Sequence, residues 1–171
     1  MRRTGIIIAA LASLWALPSL AAPDPYGLLA MITAGLSDGG QVAVGQSGVG
    51  KVARSGPKAF LANLPTGQAG FLYDQPQPCV FTQTSQMKGQ VPLTVQFNMN
   101  LVTGMEFADQ GKQGNLNLIA IKFDGDGEIV DFIDADGNPQ IAQPETSILT
   151  SLNVDQLNQA AAALHAICPN K

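Results

Sequence analysis

The stretch 93–102 constrains the fold more than any other. Leu93, Val95, Phe97, Met99 and Leu101 alternate with Thr94, Gln96, Asn98 and Asn100. Side chains of a strand point to opposite faces in turn, so this spacing predicts a strand with one apolar and one polar face. Such a strand belongs in an antiparallel sheet that is covered on its dry side.

The neighbouring residues supply partners for it. Residues 79–87 read as a strand and 88–90 as a turn, and Pro92 marks a strand entry or an edge. Residues 103–114 read as a polar loop. Residues 115–123 form an apolar run, and the Asp-Gly pairs at 126–127 and 136–137 mark hairpin turns around a strand at 128–133. A fifth strand is expected at 140–142.

Helices are expected at both ends. Asp24-Pro25 suits a helix start, with Tyr26, Leu29, Ile32 or Thr33, and Leu36 on one face. Residues 37–56 are rich in Gly and Ser and read as loop, with a short strand at 41–44. A second helical piece is expected from Pro57 to Leu64. At the other end, Asn153 and Gln156 form a capping box, and Val154, Leu157, Ala161, Leu164 and Ile167 make an apolar stripe that Pro169 ends. The expected fold class is α+β: an antiparallel four- to five-stranded meander with the C-terminal helix packed on one face, and a less regular helical N-terminal third. Residues 22–70 are then a loosely structured segment with short helices, 71–171 the sheet-plus-helix part, and 22–171 together one globular domain.

Residues 1–21 read as a signal peptide. Arg2 and Arg3 precede an apolar run broken at Pro18, and small residues stand at the cleavage site. The run is shorter than the roughly 20 residues that span a bilayer. The expected location is therefore periplasmic or secreted, without membrane insertion after cleavage. Beyond Arg2 and Arg3, seven basic residues stand against thirteen acids, a net charge of −6. No basic stripe is present, which argues against nucleic acid as a partner. Cys79 and Cys168 read as a disulfide in an oxidising compartment.

Several motifs imitate chemistry. Residues 45–51 match the Gly-x4-Gly-Lys of a phosphate loop, but Val52 stands where a hydroxyl should hold magnesium. Ser55 and Lys58 match the Ser-x-x-Lys of envelope acyl-transfer enzymes without their other motifs. His165 is the lone histidine and reads as a rim imidazole.

Six acids fall within 124–136: Asp124, Asp126, Glu128, Asp131, Asp134 and Asp136. Asp134, Asp136, Asn138 and Glu145 stand at positions 1, 3, 5 and 12 of a calcium loop, although Pro139 replaces the glycine that such a loop bends on. The plain reading is acidic hairpin turns; calcium is the alternative cofactor reading, and otherwise no cofactor is expected.

The uncharged polar face of the 93–102 strand, Thr94, Gln96, Asn98 and Asn100, is a candidate binding face. The expected function is a small exported, non-catalytic binding or interaction protein for an unknown protein or polar ligand. A calcium-binding module is the alternative, and a small envelope hydrolase a further one.

Overall fold

The computed structural model describes residues 24–125, 127–133, 138–141 and 145–169. The leader segment 1–21 lies outside them. Helix α1 (Pro25–Ala34) opens the described chain, and helix α2 (Val154–Ile167) closes it. Between them run β1 (Gln41–Ala43), β2 (Val49–Gly56), β3 (Ala59–Leu64), β4 (Gly67–Gln77), β5 (Val80–Met87), β6 (Leu93–Asn98), β7 (Val102–Gln113), β8 (Leu116–Gly125), β9 (Val130–Ile133), β10 (Pro139–Ile141) and β11 (Glu145–Thr150). All pair antiparallel in one sheet, in the order β10-β9-β6-β5-β4-β3-β2-β1-β11-β8-β7.

This overturns the expected four- to five-stranded meander with an irregular helical N-terminal third. Residues 49–77 form three strands of the same sheet. Pro57 to Leu64 is not helical: Phe60, Ala62 and Leu64 are buried in alternation on β3. The alanine conceals that period of two, and leaves Phe60, Leu61 and Leu64 looking like a helix face. The stretch 103–114 is strand β7 rather than loop. It carries no apolar alternation beyond Phe107, because most of its C-terminal half is exposed on both faces. The strand expected through 102 stops at Asn98, and Met99, Asn100 and Leu101 form a turn before β7.

That turn shapes the molecule. β6 pairs with β9 at one end of the strand order, and their continuations β7 and β8 pair at the other end. Both connections pass through one corner, where Asn98 N–H donates to Ile129 C=O at 2.8 Å. A Cβ on Gly125 would lie 1.9 Å from the Leu101 carbonyl oxygen, so the two chains cross this closely only because residue 125 is glycine. The sheet must therefore curl round its apolar face to bring both ends to the corner.

The helices fill part of the hollow. Leu29, Ile32 and Leu36 of α1 and its C-terminal extension join Leu157 and Leu164 of α2 in one core with Tyr73, Phe81 and Ile119. Tyr26 meets Phe81 edge-on at 6.2 Å. The capping box of α2 is formed as the sequence predicts, with Gln156 N–H donating to Asn153 Oδ1 and Gln156 Oε1 accepting from Asn153 N–H. Asp24 occupies the N-cap of α1 but makes no side-chain cap bond; its carboxylate pairs with Arg54 instead.

The Cys79–Cys168 disulfide is formed, with Cα atoms 5.6 Å apart, and ties the end of α2 to the β4–β5 turn. Among the described residues, no helix is long and apolar enough to cross a membrane.

Candidate functional site

The alternation along β6 has a consequence for its dry face. In register, Phe97 stands beside Phe81 and Val130, and Val95 beside Gln83 and Phe132. These side chains share the concave face. Across the hollow, Phe123 of β8 turns toward the same space, with its ring centroid 6.0 Å from that of Phe97. Helix α1 does not extend over this region beyond Thr33 and Ala34, so a cavity of about 340 Å³ remains.

Leu93, Val95, Phe97, Phe123, Val130 and Phe132 supply its apolar wall. Toward its mouth Leu93 is 47% exposed and Phe132 42%, while Val91, just before β6, is 85% exposed. Exposed side chains of this size are ordinary singly; here three stand on adjoining segments beside one cavity.

The polar lining consists of Thr33, Gln83, Glu145 and Thr146. Gln83 Oε1 accepts the hydroxyl of Thr33 at 2.6 Å and that of Tyr73 at 3.1 Å. Tyr73 is fully buried, and burial pushes its phenol well above its ordinary pKa, so it stays a neutral O–H donor. Thr33 Oγ1 also lies 2.9 Å from the Leu29 carbonyl and has one proton for the two acceptors, so the Tyr73 hydroxyl is the donor that fixes this oxygen.

A neighbouring cavity of about 370 Å³ is lined by Val42, Val44, Phe71 and Ile148 among others. It shares Thr33 and Thr146 with the first, so the two meet at the C-terminal end of α1.

The candidate binding face falls on the opposite, convex side of β6. The Thr94 hydroxyl lies 3.0 Å from that of Thr84. Gln96 pairs in register with Thr82 and Asp131. Asn98 Oδ1 accepts from Asn100 N–H at 3.2 Å, and Asn100 Nδ2 donates to the Pro78 carbonyl at 3.0 Å. Asn98 and Asn100 are thus bound into the corner turn, while Thr94 and Gln96 stand half-buried on the strand.

The described acids of the run, Asp124, Glu128 and Asp131, are dispersed. Asp124 pairs with Lys122 at 2.7 Å, Glu128 is exposed, and Asp131 is buried on β9. Asp126 and the calcium-loop residues Asp134 and Asp136 lie outside the described residues. Asn138 precedes β10, and Glu145 begins β11 opposite Lys122. Among the described residues no three His, Cys, Asp or Glu side chains come together as a metal cluster.

The phosphate-loop imitation folds as a short 3-10 turn (Gly45–Ser47) followed by strand β2, not by a helix whose N-terminus could face a phosphate. Ser55 is exposed near the end of β2, and Lys58 in the following turn is paired with Asp74 at 2.6 Å. His165 is exposed on α2.

The cavity was missed by sequence reasoning, which took the apolar face of β6 as dry core. The signal for Leu93, Val95 and Phe97 was present; what was lacking was the curl that brings Phe123 round to face them. Comparison with known protein families, with curated proteins and with solved structures returns no match.

Proposed function

We propose that this chain is a small exported protein that binds a ligand without transforming it, and that the ligand is apolar and occupies the cavity between β6–β9 and β8–β11. One observation carries the reading: six apolar side chains from three strands line a space of about 340 Å³ that no described side chain fills, beside a mouth rimmed with exposed Leu93 and Phe132. A space of this size matches the smaller ligand sites of proteins, which are mostly apolar with a few placed polar groups. Export is supported by the charged and apolar leader pattern of residues 1–21 and by the Cys79–Cys168 disulfide, a bond that persists in oxidising compartments.

Uptake of an uncharged naphthylamine fluorophore by the oxidised chain tests the reading. Val95→Trp places an indole in the cavity and is expected to abolish uptake while the unfolding transition stays cooperative. Absence of uptake by the wild-type chain, or uptake unchanged in Val95→Trp, would overturn the proposal.

A further inference from the structure

We infer that the Gln83 carboxamide is the polar anchor of this cavity, and that the cavity selects an apolar molecule carrying an uncharged carbonyl, inserted carbonyl-first. The inference rests on the binding reading above and goes beyond it by naming the group recognised.

An amide side chain has one acceptor oxygen and two N–H donors. Oε1 of Gln83 accepts from the Tyr73 hydroxyl at 3.1 Å, and Thr33 Oγ1, 2.6 Å away, shares its one proton between this oxygen and the Leu29 carbonyl at 2.9 Å. Tyr73 is held neutral by burial and remains a donor. That orientation of the amide leaves Nε2 with its two protons, on a residue that lines the cavity. Its register neighbour on β6, Val95, is apolar and offers no side-chain acceptor. A ligand oxygen is therefore the natural partner for Nε2.

The charge of that oxygen also follows. The described lining contains no Lys or Arg, and its one ionisable residue is Glu145. Burying a carboxylate or phosphate with no cation beside it costs far more than one amide hydrogen bond returns. A ketone, ester or amide carbonyl accepts the same hydrogen bond with no charge to desolvate. Tyr73 holds Gln83 in advance, so little rotamer freedom is lost on binding.

The test compares hexanophenone with hexylbenzene, two ligands that differ by one carbonyl, as competitors for the naphthylamine fluorophore. The wild-type chain is expected to favour the ketone. Gln83→Leu should reduce the ratio of the two affinities by about tenfold, the scale of one hydrogen bond made in a site shielded from water, while binding hexylbenzene at least as well as before. Gln83→Met keeps the length of the side chain but removes the N–H donors. It should abolish the ketone preference as well, which separates the anchor role from a packing role should the leucine variant fold poorly. An affinity ratio that survives both substitutions, or 4-hexylbenzoate competing better than hexanophenone, would overturn the inference. Failure of every ligand to compete in the wild-type chain would instead strike at the binding reading itself.

Discussion

Phe97 and Phe123 meet with ring centroids 6.0 Å apart and planes tilted by 44°, although six strands separate β6 from β8 in the order of the sheet. Their contact exists because the sheet curls, and both rings line the same cavity. Phe97→Ala is expected to cost about 3 kcal/mol, at the low end for a core phenylalanine because the site already borders empty space. In a double-mutant cycle with Phe123→Ala, denaturant unfolding should show a coupling of about 0.5–1.5 kcal/mol. Strict additivity would mean that the rings do not interact.

Thr150 joins β11 to the end of α1. Its fully buried hydroxyl donates to the Gly35 carbonyl at 2.7 Å and accepts from Leu152 N–H at 3.2 Å. Thr150→Val keeps the shape and strands both backbone partners, so equilibrium unfolding should show a loss of about 1–3 kcal/mol. Gly35→Ala should also destabilise. Residue 35 has φ +67°, and an added Cβ would lie 2.7 Å from Thr150 Cβ.

The disulfide closes a loop between residues 89 positions apart. Removing both cysteines together, as Cys79→Ala with Cys168→Ala, should lower stability by about 4 kcal/mol in the chain-entropy picture. The comparison is made by urea denaturation of the oxidised wild type against the double variant. A loss below 1 kcal/mol would show that the reduced chain is already held by its sheet.

Lys58 and Asp74 shift each other's titration. Hydrogen bonding to Lys58 lowers the Asp74 carboxyl below its ordinary value, and the bond to Asp74, with a smaller contribution from Tyr26, raises Lys58 above its own. The Asp74 contribution is therefore present above the unfolded carboxylate range and lost as pH falls through its lowered folded value. The Lys58 contribution is present below the ordinary lysine range and lost as pH rises through its raised one. Both groups are exposed, so salt should weaken the pair. In Lys58→Met, an NMR titration should find the Asp74 midpoint moved upward; an unmoved midpoint would show that the pair does not persist in solution.

How far these features were legible depended on whether period and position agreed. The capping box Asn153–Gln156 and the pairing of Cys79 with Cys168 involve residue types with few other uses, and both are found in place. β6 carries a bulky apolar side chain at every second position, Leu93, Val95 and Phe97, and was legible for that reason. β4 was not, because Leu72 is exposed between buried Phe71 and Tyr73 and breaks the pattern. β11 was not, because Thr150 takes an inward position that pattern reading reserves for hydrocarbon. The cavity was beyond reach for a different reason: Val95 and Phe123 reveal their strands, but nothing local to either shows that their faces oppose across a hollow.

The pairing of β1 with β11, Val42 against Thr150, also sets an order in time. β1 lies in the middle of the sheet with β2 on one side, and its other edge stays unpaired until nearly all of the chain has been made. Joining partners so distant in sequence is slow, because the entropy of closing the intervening chain is lost before the contact is gained. During that wait the N-terminal hairpins expose an open edge and an uncovered apolar face, the two features that recruit a second copy into aggregates. Until Thr150 arrives, nothing in the N-terminal hairpins themselves closes that edge.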